Sequence, residues 1–470
     1  MNLPLSFDPV SNGEYLPRPK SGADRAAEAL AREIVDAAAR RAGVARRDFL
    51  RTSCGLAACF TAINTITGCS GGSYEMPKDA TTDPAAADAA LAGKEFIFDI
   101  QTHHVMPGGD WEKKNPGMRD FLKYLPGSTD YGRYAFVKEI FLDSDTTCAV
   151  LSAVPATPEG QPLPLKEATT TREIVDQLGK SRRVWLHALV TPNVGPLDAN
   201  LDAMERVSKE FSIAAWKVYT LFGERGRGYW LDDEKTGIPM IEKARALGIK
   251  TICSHKGIPL FGASGGFERP RDVGIVAKRF PDVNFVIYHS GYDPDTKEGP
   301  YDPTKAKKGI NSLIKTMEEN GIKPGSNVYA EIGSTWWLLM KKPDEAAHAL
   351  GKLLKYVGPD NVLWGTDSIW YGSPQPQIAA LRAFEISPHL CEQHGYPQLT
   401  KQLKAKIFGL NSAKVYGADP KAVRASIKKD EVEKLKQSYL PKKDPSFATY
   451  GPKTRREFFD LMRLRGGNPA

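Results

Sequence analysis

Histidine and cysteine are both scarce in this 470-residue chain, which carries eight of the first and six of the second. Cys54, Cys59, Cys69, Cys148, Cys253 and Cys391 form no CxxC pair, so neither a zinc–thiolate site nor a disulfide framework is expected. No apolar run is long enough to span a membrane. A basic helix with interleaved aromatics is also missing, although the net charge is +8. Residues 401–470 hold 17 Lys/Arg against 7 Asp/Glu, so the positive charge belongs to the end of the sequence. A tail of that kind does not make a nucleic-acid-binding face, and nucleic acid is not an expected partner. What remains is an ordinary soluble composition, 41% hydrophobic and 26% charged, and a length that suits one large catalytic domain with extensions.

The first part of the chain reads as an address. Residues 45–72 run Ala45-Arg46-Arg47-Asp48-Phe49-Leu50-Arg51, then a mildly apolar stretch from Cys54 to Ile66, then Thr67-Gly68-Cys69-Ser70-Gly71-Gly72. Paired arginines before a weakly hydrophobic region that ends in small residues resemble a twin-arginine export signal. The expectation is export by the twin-arginine translocase to the periplasm. Ile66-Thr67-Gly68-Cys69 also resembles a lipobox, which would make Cys69 a lipid anchor. An unusually long extension, residues 1–44, precedes this segment, and its Gly22–Arg41 part reads as a helix. Residues 73–93 are rich in Gly, Ser, Pro, Asp and Ala and read as a linker.

From residue 94 to residue 419, short apolar runs alternate with helix-like stretches. The expected strands are Phe96–Thr102, Thr147–Ala153, Val184–Val190, Ala214–Thr220, Lys250–His255, Asn284–His289, Val328–Ile332 and Val362–Asp367. Strict alternation signals a parallel sheet, and eight repeats predict a closed (β/α)₈ barrel of the α/β class. Met106–Asp145 would be an insertion covering the substrate, and residues 420–470 a basic tail that wraps the barrel or a neighbouring subunit, with a homodimer as one outcome.

Active sites of such barrels lie at the C-terminal ends of the strands. Four expected strands end in polar residues: Asp99-Ile100-Gln101-Thr102-His103-His104, Ser254-His255-Lys256, Tyr288-His289-Ser290 and Gly365-Thr366-Asp367. Period-2 alternation puts Asp99, Gln101 and His103 on one face of the first strand and Phe98, Ile100 and Thr102 on the other. With the apolar face toward the helices, the polar face points inward, where a metal ion would offset the cost of burial. His104, His187, His348, His389 and His394 read as structural or surface residues.

These residues carry a resemblance to the amidohydrolase superfamily. The likeness is to the branch that includes aminocarboxymuconate-semialdehyde decarboxylase and γ-resorcylate decarboxylase, over roughly Glu95–Asp419, and Val362-Leu363-Trp364-Gly365-Thr366-Asp367 is its most specific phrase. The resemblance implies metal ligands at Asp99, His103, His255 and Asp367, with Gln101 as a ligand or an orienting neighbour. Gln101 stands where the family usually has the first histidine of its pair. It also implies that His289 is the general acid/base and that Asp367 takes a proton from water. Lys217 falls where binuclear members carry a bridging lysine, but the branch points to a single ion. Zn²⁺ is expected, and Asp and Gln ligands also suit Mn²⁺ or Mg²⁺.

The activity implied is that of a metal-dependent hydrolase. It would cleave a small aromatic or cyclic ester, lactone or amide through metal-activated water. Nonoxidative decarboxylation of a hydroxy-aromatic acid is the alternative chemistry, and a non-catalytic periplasmic binding protein the alternative class. Tyr219, Trp230, Trp336, Trp337, Trp370 and Tyr371 fall near the expected mouth, and Tyr219, Trp336 and Trp370 are the candidates for stacking on a planar substrate. Lys256, next to an expected ligand, is the candidate partner for a substrate carboxylate.

Overall fold

The computed structural model describes residues 2–68, 70–106, 132–156, 161–179, 181–223, 227–259, 265–428 and 430–464. The expected lipidation site Cys69 and most of the expected covering insertion lie outside these residues.

Helix α1 (Gly22–Ala42) begins where Ser21 and Asp24 form a reciprocal capping box and ends at Gly43, whose positive φ closes the last turn. Its buried stripe is Ala27, Ala31, Val35, Ala38 and Ala39. Small residues on that stripe allow close packing against α3 (Ser53–Thr67), which follows the short α2 (Arg46–Leu50). Cys54 through Phe60, with Ala62 and Ile63, are buried in α3. A helix that is apolar on nearly every side belongs inside a fold. It is here covered by α1 and by α4 (Pro84–Leu91). Strand β1 (Gly72–Tyr74) follows α3 and stacks Tyr74 on Phe60, their ring centres 4.6 Å apart.

The stretch read as an export signal is thus folded against the rest of the chain. Arg46 pairs with Asp36, while Arg47 and Arg51 both reach Asp444 in the tail. The stretch expected as a linker holds β1 and α4. Asp83 caps α4 ahead of a proline in its first turn, and Ala87 and Leu91 are buried.

Eight parallel strands follow: β2 (Phe98–Thr102), β3 (Cys148–Leu151), β4 (Val184–Val190), β5 (Ala215–Tyr219), β6 (Thr251–His255), β7 (Asn284–Tyr288), β8 (Val328–Glu331) and β9 (Val362–Leu363). Each pairs with its neighbour in chain order, and helices intervene, as expected of a (β/α)₈ barrel. Hydrogen bonds from Ile100 N to Trp364 O, Asp367 N to Gln101 O and His103 N to Ser368 O join the first strand to the last. A short β10 (Phe384–Ile386) pairs antiparallel with β1 and ties the N-terminal helices to the barrel's outer layer. No helix among the described residues is long and apolar enough to cross a membrane.

Phe98, Ile100, Val150, Trp185, Ala215, Cys253, Val286, Tyr288 and Leu363 form one cluster. Residues from seven strands can meet only inside the ring, so this is the barrel interior. Phe98 and Ile100 therefore point inward, contrary to the orientation expected for the first strand. Alternation holds there but with the apolar face inside, and a register shift in the β2–β3 pairing between Asp99 and Thr102 lets His103 turn back toward the mouth. A bulge of this kind breaks the period-2 rule and re-aims the residues beyond it.

The chain crosses the barrel mouth at two more places. Leu3, Leu5, Phe7 and Val10 are buried beneath the N-terminal helices and the tail. Each such side chain contributes about 1.5–3 kcal/mol on burial. Ser11 N donates to Pro452 O, and Tyr450 N and Gly451 N donate to Trp370 O. The basic tail also anchors lower on the barrel, where Arg183 meets Asp430 in a buried pair.

Candidate metal centre

Three histidines and two carboxylates meet at the strand ends. His255 closes β6, His289 follows β7, Asp367 lies beyond β9, and His103 follows β2 after its bulge. The fifth group, Glu14, comes from the N-terminal segment. Its two oxygens lie 3.5 Å from His255 Nδ1 and 3.4 Å from His289 Nε2. His103 Nε2 lies 3.1 Å from Asp367 Oδ1. Asn12 Nδ2 joins the two halves, donating to Glu14 Oε2 at 2.5 Å and to Asp367 Oδ2 at 2.6 Å. All of these side chains are buried.

The tautomers follow from the hydrogen bonds. Each histidine spends one ring nitrogen on a backbone carbonyl: His103 Nδ1 on Ser152 O, His255 Nε2 on Ile258 O and His289 Nδ1 on Gly333 O. A carbonyl can only accept, so those nitrogens carry the protons. In the neutral ring the other nitrogen then presents a lone pair, and in all three cases it faces a carboxylate. Acceptors facing acceptors in a buried site need a cation or a proton between them. His255 Nδ1 and His289 Nε2 indeed have no hydrogen-bond partner. Backbone-fixed imidazoles beside carboxylates are the donor set that a divalent metal takes. Glu14, His255 and His289 offer ligand atoms within 4.8 Å of one another.

The local charges agree. Burial works to raise Glu14, but His255 and His289 hold its carboxyl well below the usual range. Burial likewise works against Asp367, and the close His103 imidazole outweighs it, so this carboxyl too stays low. Burial lowers His255 despite Glu14, whereas Glu14 raises His289 against its burial. Backbone conformation singles out the same place. His289, Ser290, Ser334 and Asp367 all have φ between 53° and 65°. Such left-handed non-glycine residues are costly and gather at functional sites.

The expected residues divide clearly. His103, His255, His289 and Asp367 converge. Asp99 does not join them: its carboxyl accepts from Thr366 Oγ1, Thr366 N and Gln101 N, and burial pushes it up to about 8. Inward-pointing Phe98 and Ile100 leave Asp99 to the other side of β2. Gln101 sits beside Glu331, with both amide atoms lacking hydrogen-bond partners, and Gly333 and Gly365 leave the room the pair needs. Burial raises Glu331 to about 7. Lys217 points into the barrel with Nζ 3.2 Å from the Tyr288 ring centre, and burial lowers it to about 8.

Of the expected substrate contacts, Tyr219 lies against His255 and Trp370 against His103, with ring centres 5.4 and 6.2 Å apart. Lys256 and Trp336 lie elsewhere. Lys256 is fully buried, pairs with Asp272 at 2.8 Å and donates to Phe267 O. Trp336 donates to Gln377 O and packs edge-on to Phe384 in the helical layer.

Glu14, Asn12 and Ser334 were not foreseen. Ser334 donates to Asp367 Oδ2 at 2.6 Å and meets Tyr371. The one available signal was Asn12-Gly13, a turn dipeptide followed by an acid. Gly13 has φ of 83°, and Ser11 Oγ closes the turn onto Tyr15 O.

Residues 167–418 match the family model described as amidohydrolase, which is more than half of the chain. The chain belongs to the amidohydrolase family. It is an enzyme of the amidohydrolase superfamily. No curated protein matches it. Among solved structures, it is similar to an uncharacterised TIM-barrel protein from Bordetella bronchiseptica at 13% identity. That match covers 71% of this chain and 99% of the other, with a TM-score of 0.43. It is also similar to 2,6-dihydroxybenzoate decarboxylase in complex with 2,6-dihydroxybenzoate at 12% identity. There the coverage is 69% and 100%, with a TM-score of 0.42. Likenesses this distant say nothing about substrate.

Proposed function

We propose that this amidohydrolase-family enzyme is a metal-dependent hydrolase of a small cyclic or aromatic ester, lactone or amide. The observation that carries the reading is the convergence of three imidazole lone pairs on two buried carboxylates at the barrel mouth. His103, His255 and Asp367 would hold a divalent ion, Zn²⁺ first among those the donors suit, with Mn²⁺ or Mg²⁺ as alternatives. Such an ion supplies Lewis acidity toward a carbonyl oxygen and acidifies water.

The protein's own groups do the rest. Asp367, steadied by Ser334 and Asn12, is placed to accept a proton from the attacking water. His289 has one nitrogen fixed on Gly333 O, so only Nε2 is left to hand a proton to a leaving group. Tyr219 and Trp370 flank His255 and His103 and supply flat walls, which supports a planar or cyclic substrate.

The test is turnover by zinc-supplemented protein on a panel of lactones, aryl esters and anilides, with hydroxybenzoates alongside. His289→Asn is expected to lower kcat at least about 100-fold while metal content stays unchanged. Release of CO₂ from hydroxybenzoates, with no hydrolysis, would replace the hydrolytic reading by the decarboxylase. Full metal loading without turnover of any class would favour a binding protein.

A further inference from the structure

We propose that Glu14 is a ligand of the metal ion, delivered to the barrel by the N-terminal segment. This rests on the metal-dependent reading above and says which residue completes the site.

Glu14 oxygens stand 3.5 Å from His255 Nδ1 and 3.4 Å from His289 Nε2. His255 Nδ1 carries no proton in the neutral ring, so its contact with Glu14 is not an ordinary hydrogen bond. Two donors sharing a tetrahedral ion at roughly 2.0–2.2 Å each stand roughly 3.3–3.6 Å apart. The 3.5 Å between Glu14 Oε1 and His255 Nδ1 is that of two atoms which share a cation, and the other Glu14 oxygen faces the Nε2 that His289 uses for proton transfer.

The first strand does not supply a full donor set. Asp99 is engaged with Thr366, and Gln101 is a neutral amide placed beside Glu331. Only His103 from that strand reaches the site. A carboxylate from elsewhere makes up the donor set, and with Asp367 it brings two negative charges to balance a divalent ion.

Glu14 is also firmly anchored. Glu14 sits on a turn held by Ser11 Oγ, which accepts from Gly13 N and donates to Tyr15 O. Tyr15 reaches Val10 O and Tyr371. Leu3, Leu5, Phe7 and Val10 bury the strand of chain leading into that turn. Burying a carboxylate in this way is costly unless a charge meets it. The segment is built to hold Glu14 where it is. It follows that residues 2–20 are a working part of the enzyme, and a chain cut after the 45–72 segment would lose a ligand.

The experiment uses full-length protein: wild type, Glu14→Gln, Glu14→Asp and His255→Ala. Zn²⁺ affinity is read by competition with a chromogenic chelator, the Co²⁺ form by its visible spectrum, and folding by circular dichroism. Glu14→Gln is expected to weaken Zn²⁺ by more than about 100-fold, beyond the roughly 10–100-fold typical of a residue that only supports a ligand. Glu14→Asp keeps the charge and, should the amide variant fail to fold, still reports through a changed Co²⁺ spectrum. Wild-type affinity in Glu14→Gln with metal lost from His255→Ala would overturn the proposal. A gain in turnover in that variant would then identify Glu14 as a plug that occupies the substrate's place. Metal binding unchanged in all variants would instead remove the metal site itself.

Discussion

Replacing Lys256 separates a structural lysine from one that meets substrate. Its ammonium and the Asp272 carboxylate are both fully buried, 2.8 Å apart, and Asp272 also accepts Leu231 N at 2.7 Å. Lys256→Met leaves that carboxylate buried without its charge partner. Removing one member of such a pair costs about 3–5 kcal/mol. Unfolding entropy near 2.1 cal/mol/K per residue comes to about 1 kcal/mol/K for a chain of this length, so Tm should fall by about 3–5 °C. The charge-free double variant Lys256→Met/Asp272→Leu should recover part of that loss, since two well-packed apolar groups need no partner. Thermal unfolding by circular dichroism gives the shift, and steady-state kinetics on any turned-over substrate gives KM. An unchanged Tm with KM raised tenfold or more would refute the reasoning and return Lys256 to the substrate.

Two further outcomes are expected. Asp99 is a carboxyl held up to about 8 by burial, so the folded chain keeps a proton that the unfolded chain gives up near pH 4. Its contribution to stability is greatest below about pH 4 and is lost as pH rises toward 8. Asp99→Asn should therefore flatten the decline of denaturation midpoint over that window without changing metal content, and an unchanged slope or a lost metal would count against this account. Arg46→Lys/Arg47→Lys disturbs only surface ion pairs with Asp36 and Asp444, worth at most about 1 kcal/mol, so stability should hold. We propose that the same change blocks export by the twin-arginine route. Fractionation of cells producing the variant checks this, and undiminished periplasmic protein would end that reading.

The barrel was legible because its signal is repetitive: each apolar run is short, and each is followed by an amphipathic stretch. His255, His289 and Asp367 were legible for the same reason, since a strand's end can be read and polar residues stand out there. Asp99 reads wrongly because the alternation of the first strand does not say which face is inside, and the apolar face of Phe98 and Ile100 fills the interior. Lys256 follows a ligand in sequence, but its partner Asp272 comes from the next helical segment, and no local pattern announces that pairing. The apolar stretch Cys54–Ile63 suits an export signal and an internal helix equally well, because both need only an uncharged helix former. Glu14 was hidden by distance. Four helices separate it in sequence from the first barrel strand, and only the fold brings it to His255 and His289.

The hydrogen bond from Ser11 to Pro452 sets an order of events. A ribosome makes the turn that bears Glu14 early and must then complete the whole barrel before Pro452 exists. Until then the bond that ties Ser11 to the tail is missing. Assembly of the full ligand set is therefore a late act of the finished polypeptide, and any ion captured by the nascent barrel would meet a site still missing a wall.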